Sequence, residues 1–167
     1  MKGEWDKELL KAIESVFSDA GLYTATENIN GSDVLVIEYD AENAPEDCNI
    51  SIEQLTENST VVNILISVMS GLNKKQSQDI AALLPYLNKY LTIGSFGLTE
   101  QDGYFYFSYS FVINEQTETG KLVREVNSAL DIATASAEEA VGITAPVING
   151  GKPVSELMTD DISIIQF

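Results

Sequence analysis

The chain has 167 residues, 44% of them hydrophobic, and 26 Asp and Glu set against 9 Lys and Arg give a formal net charge of −17. That length suits about one domain with a real core, and the negative excess repels phosphate backbones and anionic lipid heads, so basic or amphipathic protein segments are better partners than nucleic acid or membrane. No histidine is present and Cys48 is the only cysteine, so a serine or cysteine nucleophile has no imidazole base and Cys/His zinc sites cannot be assembled.

Trp5, Leu9, Ile13, Val16, Phe17 and Ala20 recur at helical spacing, Glu4, Asp6 and Glu8 crowd the first turns, and Gly21 supplies a left-handed stop. This predicts a first helix. The opening residues are charged rather than a basic start followed by an apolar run, and no uncharged apolar stretch of about 18 residues occurs, so the expected location is the cytoplasm. Leu22 to Thr26 and Val34 to Tyr39 are β-rich and flank Asn30-Gly31-Ser32, which predicts a hairpin; the polar Glu27-Asn28-Ile29 predicts a loop longer than two residues.

Residues 38–47, EYDAENAPED, are too polar to bury and are broken as a helix by Pro45, so they predict a surface loop. Asn49 to Leu55 and Thr60 to Met69 predict a second strand pair. Val61, Asn63, Leu65, Ser67 and Met69 alternate with Val62, Ile64, Ile66 and Val68, and a strand apolar on nearly both sides belongs in the middle of a sheet. Gln76 to Leu91 follows as a helix with Ile80, Leu83, Leu84, Leu87 and Leu91 on one stripe, and Pro85 inside it predicts a kink or a restart.

Gly94, Gly97 and Gly103 punctuate a hairpin whose second strand, Tyr104 to Ile113, separates by period two. Phe105, Phe107, Tyr109, Phe111 and Ile113 point to one face, predicted as core, and Tyr104, Tyr106, Ser108 and Ser110 to the other. A last helix, capped by Thr117 or Thr119, is predicted through roughly Ala140 on a stripe of Leu122, Val126, Ala129, Leu130, Ala133, Ala137 and Val141. Beyond Gly142, Pro146, Asn149-Gly150-Gly151 and Pro153 read as linker before a tail ending on Ile162, Ile164, Ile165 and Phe167. The predicted organisation is therefore one α+β domain over residues 1–145, with a linker and short apolar tail over 146–167. In that domain an antiparallel sheet of five or six strands is combined with three helices in the order helix, strands, helix, hairpin, helix.

Leu83 to Phe107 resembles the YbjN family, which shares its fold with the class I chaperones of type III secretion. The resemblance rests on a helix ending in Leu87-Asn88-Lys89-Tyr90-Leu91, then Ile93-Gly94-Ser95-Phe96, an acidic turn Glu100-Gln101-Asp102-Gly103, and the aromatic strand Tyr104 to Phe107. The order of elements extends it to about residues 5–141. It implies a small acidic protein that acts by binding other proteins, commonly as a homodimer, with no catalytic residues to carry over. An added strand near the start, Pro85 and the tail after Gly142 depart from the family's pattern.

The candidate contact surface for a protein partner or a second copy is Leu83, Tyr86, Leu87 and Tyr90 on the middle helix with Phe96, Tyr104 and Tyr106 from the hairpin. A helical apolar stripe is ordinarily core, which is the competing reading of Leu83 and Leu87. Tyrosines on a half-exposed sheet face are enriched at interfaces but also occur on plain solvated faces.

The second functional reading is a carboxylate-dependent or Ca/Mg-dependent ligand-binding protein or enzyme built on loop 38–47, with Glu38, Asp40, Glu42, Glu46 and Asp47 as oxygen donors. Their spacing does not match a calcium-binding D-x-[DN]-x-[DN]-G loop, and a charge run is usually a solvated surface. No catalytic, cofactor or metal residue is assigned. Cys48, without a nearby Lys, Arg or His, reads as a buried or idle thiol, and Lys74-Lys75 and Lys121 with Arg124 read as balancing nearby acids.

Overall fold

Two positive-φ glycines mark where helices end in the computed structural model, which describes residues 2–40, 44–56, 59–89, 91–114 and 116–158, with backbone alone for 2–5. Helix α1 (Lys2–Asp19) closes on Gly21 at φ 85°, with Gly21 N–H bonded to the Ser18 carbonyl and Leu22 N–H to that of Phe17. That pair of bonds is a Schellman stop. It turns the chain directly into strand β1 (Tyr23–Ile29), which pairs with β2 (Ser32–Glu38) through a two-residue turn. Asn30 at φ 53° and Gly31 at φ 91° supply the two left-handed positions that such a turn requires, so Glu27-Asn28-Ile29 is strand and the longer loop expected here does not form.

Strands β3 (Asp47–Thr56) and β4 (Ser59–Met69) follow, then helix α2 (Lys74–Lys89), β5 (Ser95–Thr99), β6 (Tyr104–Ile113), helix α3 (Thr119–Ile148) and a short α4 (Val154–Leu157). All strands are antiparallel neighbours in one six-stranded sheet of order β1-β2-β3-β4-β6-β5. β4 therefore sits inside, as its two-sided apolar pattern requires.

Pro85 lies within α2, which runs through it without restarting. The ring is on the exposed side, where water can satisfy the backbone carbonyl that loses its donor. Asn73 caps this helix, its Oδ1 accepting from the N–H groups of Lys75 and Gln76 at 3.0 Å each.

Two expectations fail at α3. Its first cap residue is Glu118, without a side-chain cap, and neither Thr117 nor Thr119. The helix also continues past Gly142, through Pro146, to Ile148, so the linker expected from residue 146 is helical there. Val147 and Leu157, from the stretch read as linker and tail, are in the core. Gly142 does not adopt positive φ; the stop is Gly150 at φ 73°, with Gly150 N–H on the Val147 carbonyl and Gly151 N–H on that of Pro146. Burial of Val141, Thr144 and Val147 offsets the helix-breaking tendency of Gly142 and Pro146.

The core is one layer deep between helices and sheet. Leu35, Ile37, Cys48, Ile50, Val62, Ile64, Ile66, Phe105 and Phe107 meet Leu9 and Ile13 of α1, Ile80, Leu83 and Leu87 of α2, and Leu122, Val126, Ala133 and Ala137 of α3. The small residues on α3 let that helix lie close over β4 and β6. Every one of the sheet residues named occupies the same side of its strand, so α1, α2 and α3 all stand on one face.

Candidate functional site

Strand alternation sends the intervening residues to the opposite face, and the register aligns them in rows. One row runs Tyr23, Glu38, Asp47, Ser67, Tyr106, Gly97, and the next Ala25, Val36, Asn49, Leu65, Ser108, Ser95. Among the described residues no helix covers this face. Val34 and Val61 are buried on it yet stand apart from the core cluster. Tyr23 is 63% exposed and Val112 70%, both on this side of the sheet.

A chain of hydrogen bonds fixes one end. Ser67 Oγ donates to Asp47 Oδ1 at 2.8 Å and lies 2.8 Å from the Tyr104 hydroxyl, and Asn49 Nδ2 donates to the same Asp47 oxygen at 2.6 Å. Tyr104 and Tyr106 stack with ring centroids 5.5 Å apart. The Tyr106 ring lies over Gly97, its cross-strand partner, where any Cβ would collide with it. Partial burial raises the Tyr104 phenol's pKa against the Ser67 hydrogen bond, and Asp47 and Glu46 push the same way as burial. The result is a held aromatic pair next to the Asp47 side chain. In the middle of the face, Ser110 Oγ donates to Asn63 Oδ1 at 2.7 Å.

Of the six predicted contact residues that are described, the structure brings only Tyr104 and Tyr106 together on an accessible surface. Leu83 and Leu87 have no exposure, and Phe96 is packed on Phe105 and Phe107 with centroids 5.6 and 5.2 Å away. Those three are core, because α2 turns its apolar stripe onto the sheet and Phe96 of β5 faces the helices. Tyr86 is half-buried on α2, on the helical side, away from the tyrosine pair. Tyr90 lies outside the described residues. The sequence reading missed Tyr23, Val36, Leu65 and Val112 as members of the face. Period-two alternation across all six strands was the signal that could have found them.

The acidic loop is built into the fold by its end. Glu46 Oε1 accepts from Ser70 N–H at 2.9 Å and from Ser70 Oγ at 3.0 Å, and Pro45 is buried. Glu42 lies outside the described residues. Among the described residues no three Asp, Glu, Cys or His side chains gather where they could hold a metal ion.

Cys48 is fully buried between strands, and burial, reinforced by Asp47, pushes its thiol well above the usual range. Burial does the same to Tyr39, whose hydroxyl lies 2.8 Å from Thr134 Oγ1. Lys75 pairs with Asp79 and Lys121 with Glu125 along their helices.

The chain is similar to YbjN. A crystal structure of YbjN from E. coli, a protein proposed as a transcription regulator, aligns with a TM-score of 0.46 and 12% identity over 78% of this chain and 90% of that one. No family model matches the sequence, and no curated protein matches it. No helix among the described residues is long and apolar enough to cross a membrane.

Proposed function

We propose that this chain is a cytoplasmic, non-catalytic protein-binding module that holds a segment of a partner protein on the helix-free face of its sheet. One observation carries the reading: among the described residues the six-stranded sheet packs helices on one side only, and the other side keeps Tyr23, Val36, Leu65, Tyr104, Tyr106 and Val112 accessible or half-accessible among small polar residues. Apolar side chains on an ordered surface give affinity, and the hydrogen-bonded Asp47, Ser67 and Tyr104 give it a fixed shape. The absence of histidine from the chain and the buried, strongly protonated Cys48 support a mode of action through adhesion.

Site-specific photocrosslinking tests this. A benzophenone amino acid placed at Val112, on the face, should give a discrete adduct in the native cell, while the same group at Asp131, exposed on α3, should give none. An adduct at twice the chain's mass would make the partner a second copy, the homodimer that the sequence resemblance implies. Equal labelling from both positions, or none from Val112, would overturn the assignment of the face.

A further inference from the structure

Charge is sorted between the two layers of this fold. Eight of the nine basic residues lie on helices α1, α2 and α3, and the ninth, Lys152, lies in the turn before α4. No strand carries a lysine or an arginine. The carboxylates do not follow that rule. Glu27, Glu38, Asp47 and Glu53 all point to the helix-free face, from β1, β2 and β3. The remaining strand acid, Asp33, is on the helical side, where Lys7 of α1 pairs with it at 3.2 Å. Strands β4, β5 and β6 carry no charge at all.

The helix-free face is thus divided. Its β1–β3 half mixes carboxylates with Tyr23, Ala25, Val34 and Val36, and its β4–β6 half offers Leu65, Tyr104, Tyr106 and Val112 without any ion. Two such faces laid against each other would set carboxylates against a surface with no cation to meet them, on chains that each carry −17. A second copy is disfavoured on that ground. A segment with basic residues on one flank and apolar residues on the other fits both halves at once.

Resting on the reading of this face as the binding surface, we propose that its occupant is a cationic amphipathic segment of another protein, lying across the strands with Lys or Arg over Glu27, Glu38 and Glu53 and apolar side chains over Leu65, Tyr106 and Val112. Strands are about 4.8 Å apart and residues about 3.4 Å apart along them, so β1 to β6 spans roughly 19 Å and the row of Glu38 lies roughly 20 Å from that of Glu53, a patch about as long as it is wide.

The test uses two fluorescent amphipathic peptides of the same length, one of Lys and Leu and one of Gln and Leu, titrated by anisotropy against the full chain. Two triple variants with the same net charge are compared: Glu27→Gln/Glu38→Gln/Glu53→Gln on the sheet face, and Glu118→Gln/Asp131→Asn/Glu138→Gln on the α3 side. The Lys/Leu peptide should bind the sheet-face variant about tenfold more weakly than the unaltered chain and bind the α3 variant within about twofold, with the difference fading at high salt.

Equal weakening by both triples would reduce the effect to overall charge and overturn the proposal. Equally tight binding of the Gln/Leu peptide, lost on Val112→Ser, would overturn the requirement for cations while leaving the face as the binding surface. Binding of both peptides indifferent to every sheet-face substitution would remove the face itself. A dimer in sedimentation that Val112→Asp dissolves would give the face to a second copy and also overturn the proposal.

Discussion

Asn88, on the last turn of α2, closes part of the outer edge of β5. Its Nδ2 donates to the Phe96 carbonyl at 3.0 Å and its Oδ1 accepts from the Phe96 N–H at 2.7 Å, so the side-chain amide pairs with the strand as a neighbouring peptide would. Replacing Asn88 with Ala removes both bonds and leaves a part-buried donor and acceptor unpaired. Two net hydrogen bonds at about 1 kcal/mol each, plus incomplete hydration of the freed groups, amount to about 2–4 kcal/mol.

For a domain of this size that loss lowers the melting temperature by about 5–12 °C, read by circular dichroism. Asn88→Asp sharpens the test. It keeps the acceptor but sets a carboxylate oxygen against the Phe96 carbonyl, so only the protonated acid can make both bonds, and the folded-state pKa of residue 88 rises above its unfolded value of about 3.9. The sign follows: the stabilisation is complete below the unfolded value and is lost as pH rises through the folded one. Measured against the unaltered chain at each pH, Asn88→Asp should therefore be nearly neutral near pH 3 and as damaging as Asn88→Ala at pH 7. A melting temperature unmoved by Asn88→Ala, or an Asp deficit independent of pH, would refute the pairing.

Gly103→Ala should cost about 3 kcal/mol or more in urea denaturation, because Gly103 sits at φ 59° and a Cβ there would run into the Leu72 backbone. A loss below about 1 kcal/mol would mean the turn shifts freely. Cys48 should react with a thiol reagent only after unfolding, and rapid labelling of the native protein would contradict its burial. The folded thiol titrates above its ordinary 9.0, so its contribution to stability is complete below that value and declines as pH climbs beyond it, visible as a falling urea midpoint in alkaline buffers. Millimolar calcium or magnesium should leave the melting temperature unchanged, whereas a rise would mean that the folded chain binds the ion.

Elements whose pattern is local and strongly periodic were legible in the residues. β6 starts and ends where its alternation does, and β4 is internal because Val61 and Leu65 face one way while Val62, Ile64 and Ile66 face the other. Errors fell where a tertiary contact overrides a local preference. Gly142 and Pro146 look like a helix stop, but burial of Val147 carries α3 past them to the glycine that does adopt positive φ. Glu27-Asn28-Ile29 looks like loop, but the Asn30-Gly31 turn is so tight that the strand must extend to meet it.

The candidate contact surface was half legible. Tyr104 and Tyr106 were placed by parity within one strand, but assigning Leu83, Leu87 and Phe96 needed to know which way α2 faces. Val36, Leu65 and Val112 joined the same face only through register between strands distant in sequence.

The uncharged strands have a consequence for how the molecule is made. YFYFSYSFVI is ten residues of strong β-formers without an ion or a proline, the composition of a segment that self-associates when left open. In the finished sheet it is covered on both edges, by β4 on one side and β5 on the other. The β5 partner is four residues away in sequence, whereas β4 must be gathered from across α2. The hazard belongs to the interval before both pairings are made, and Glu100 and Asp102 just before the strand and Glu115 just after it are flanking charges of the kind that oppose self-association of an open strand.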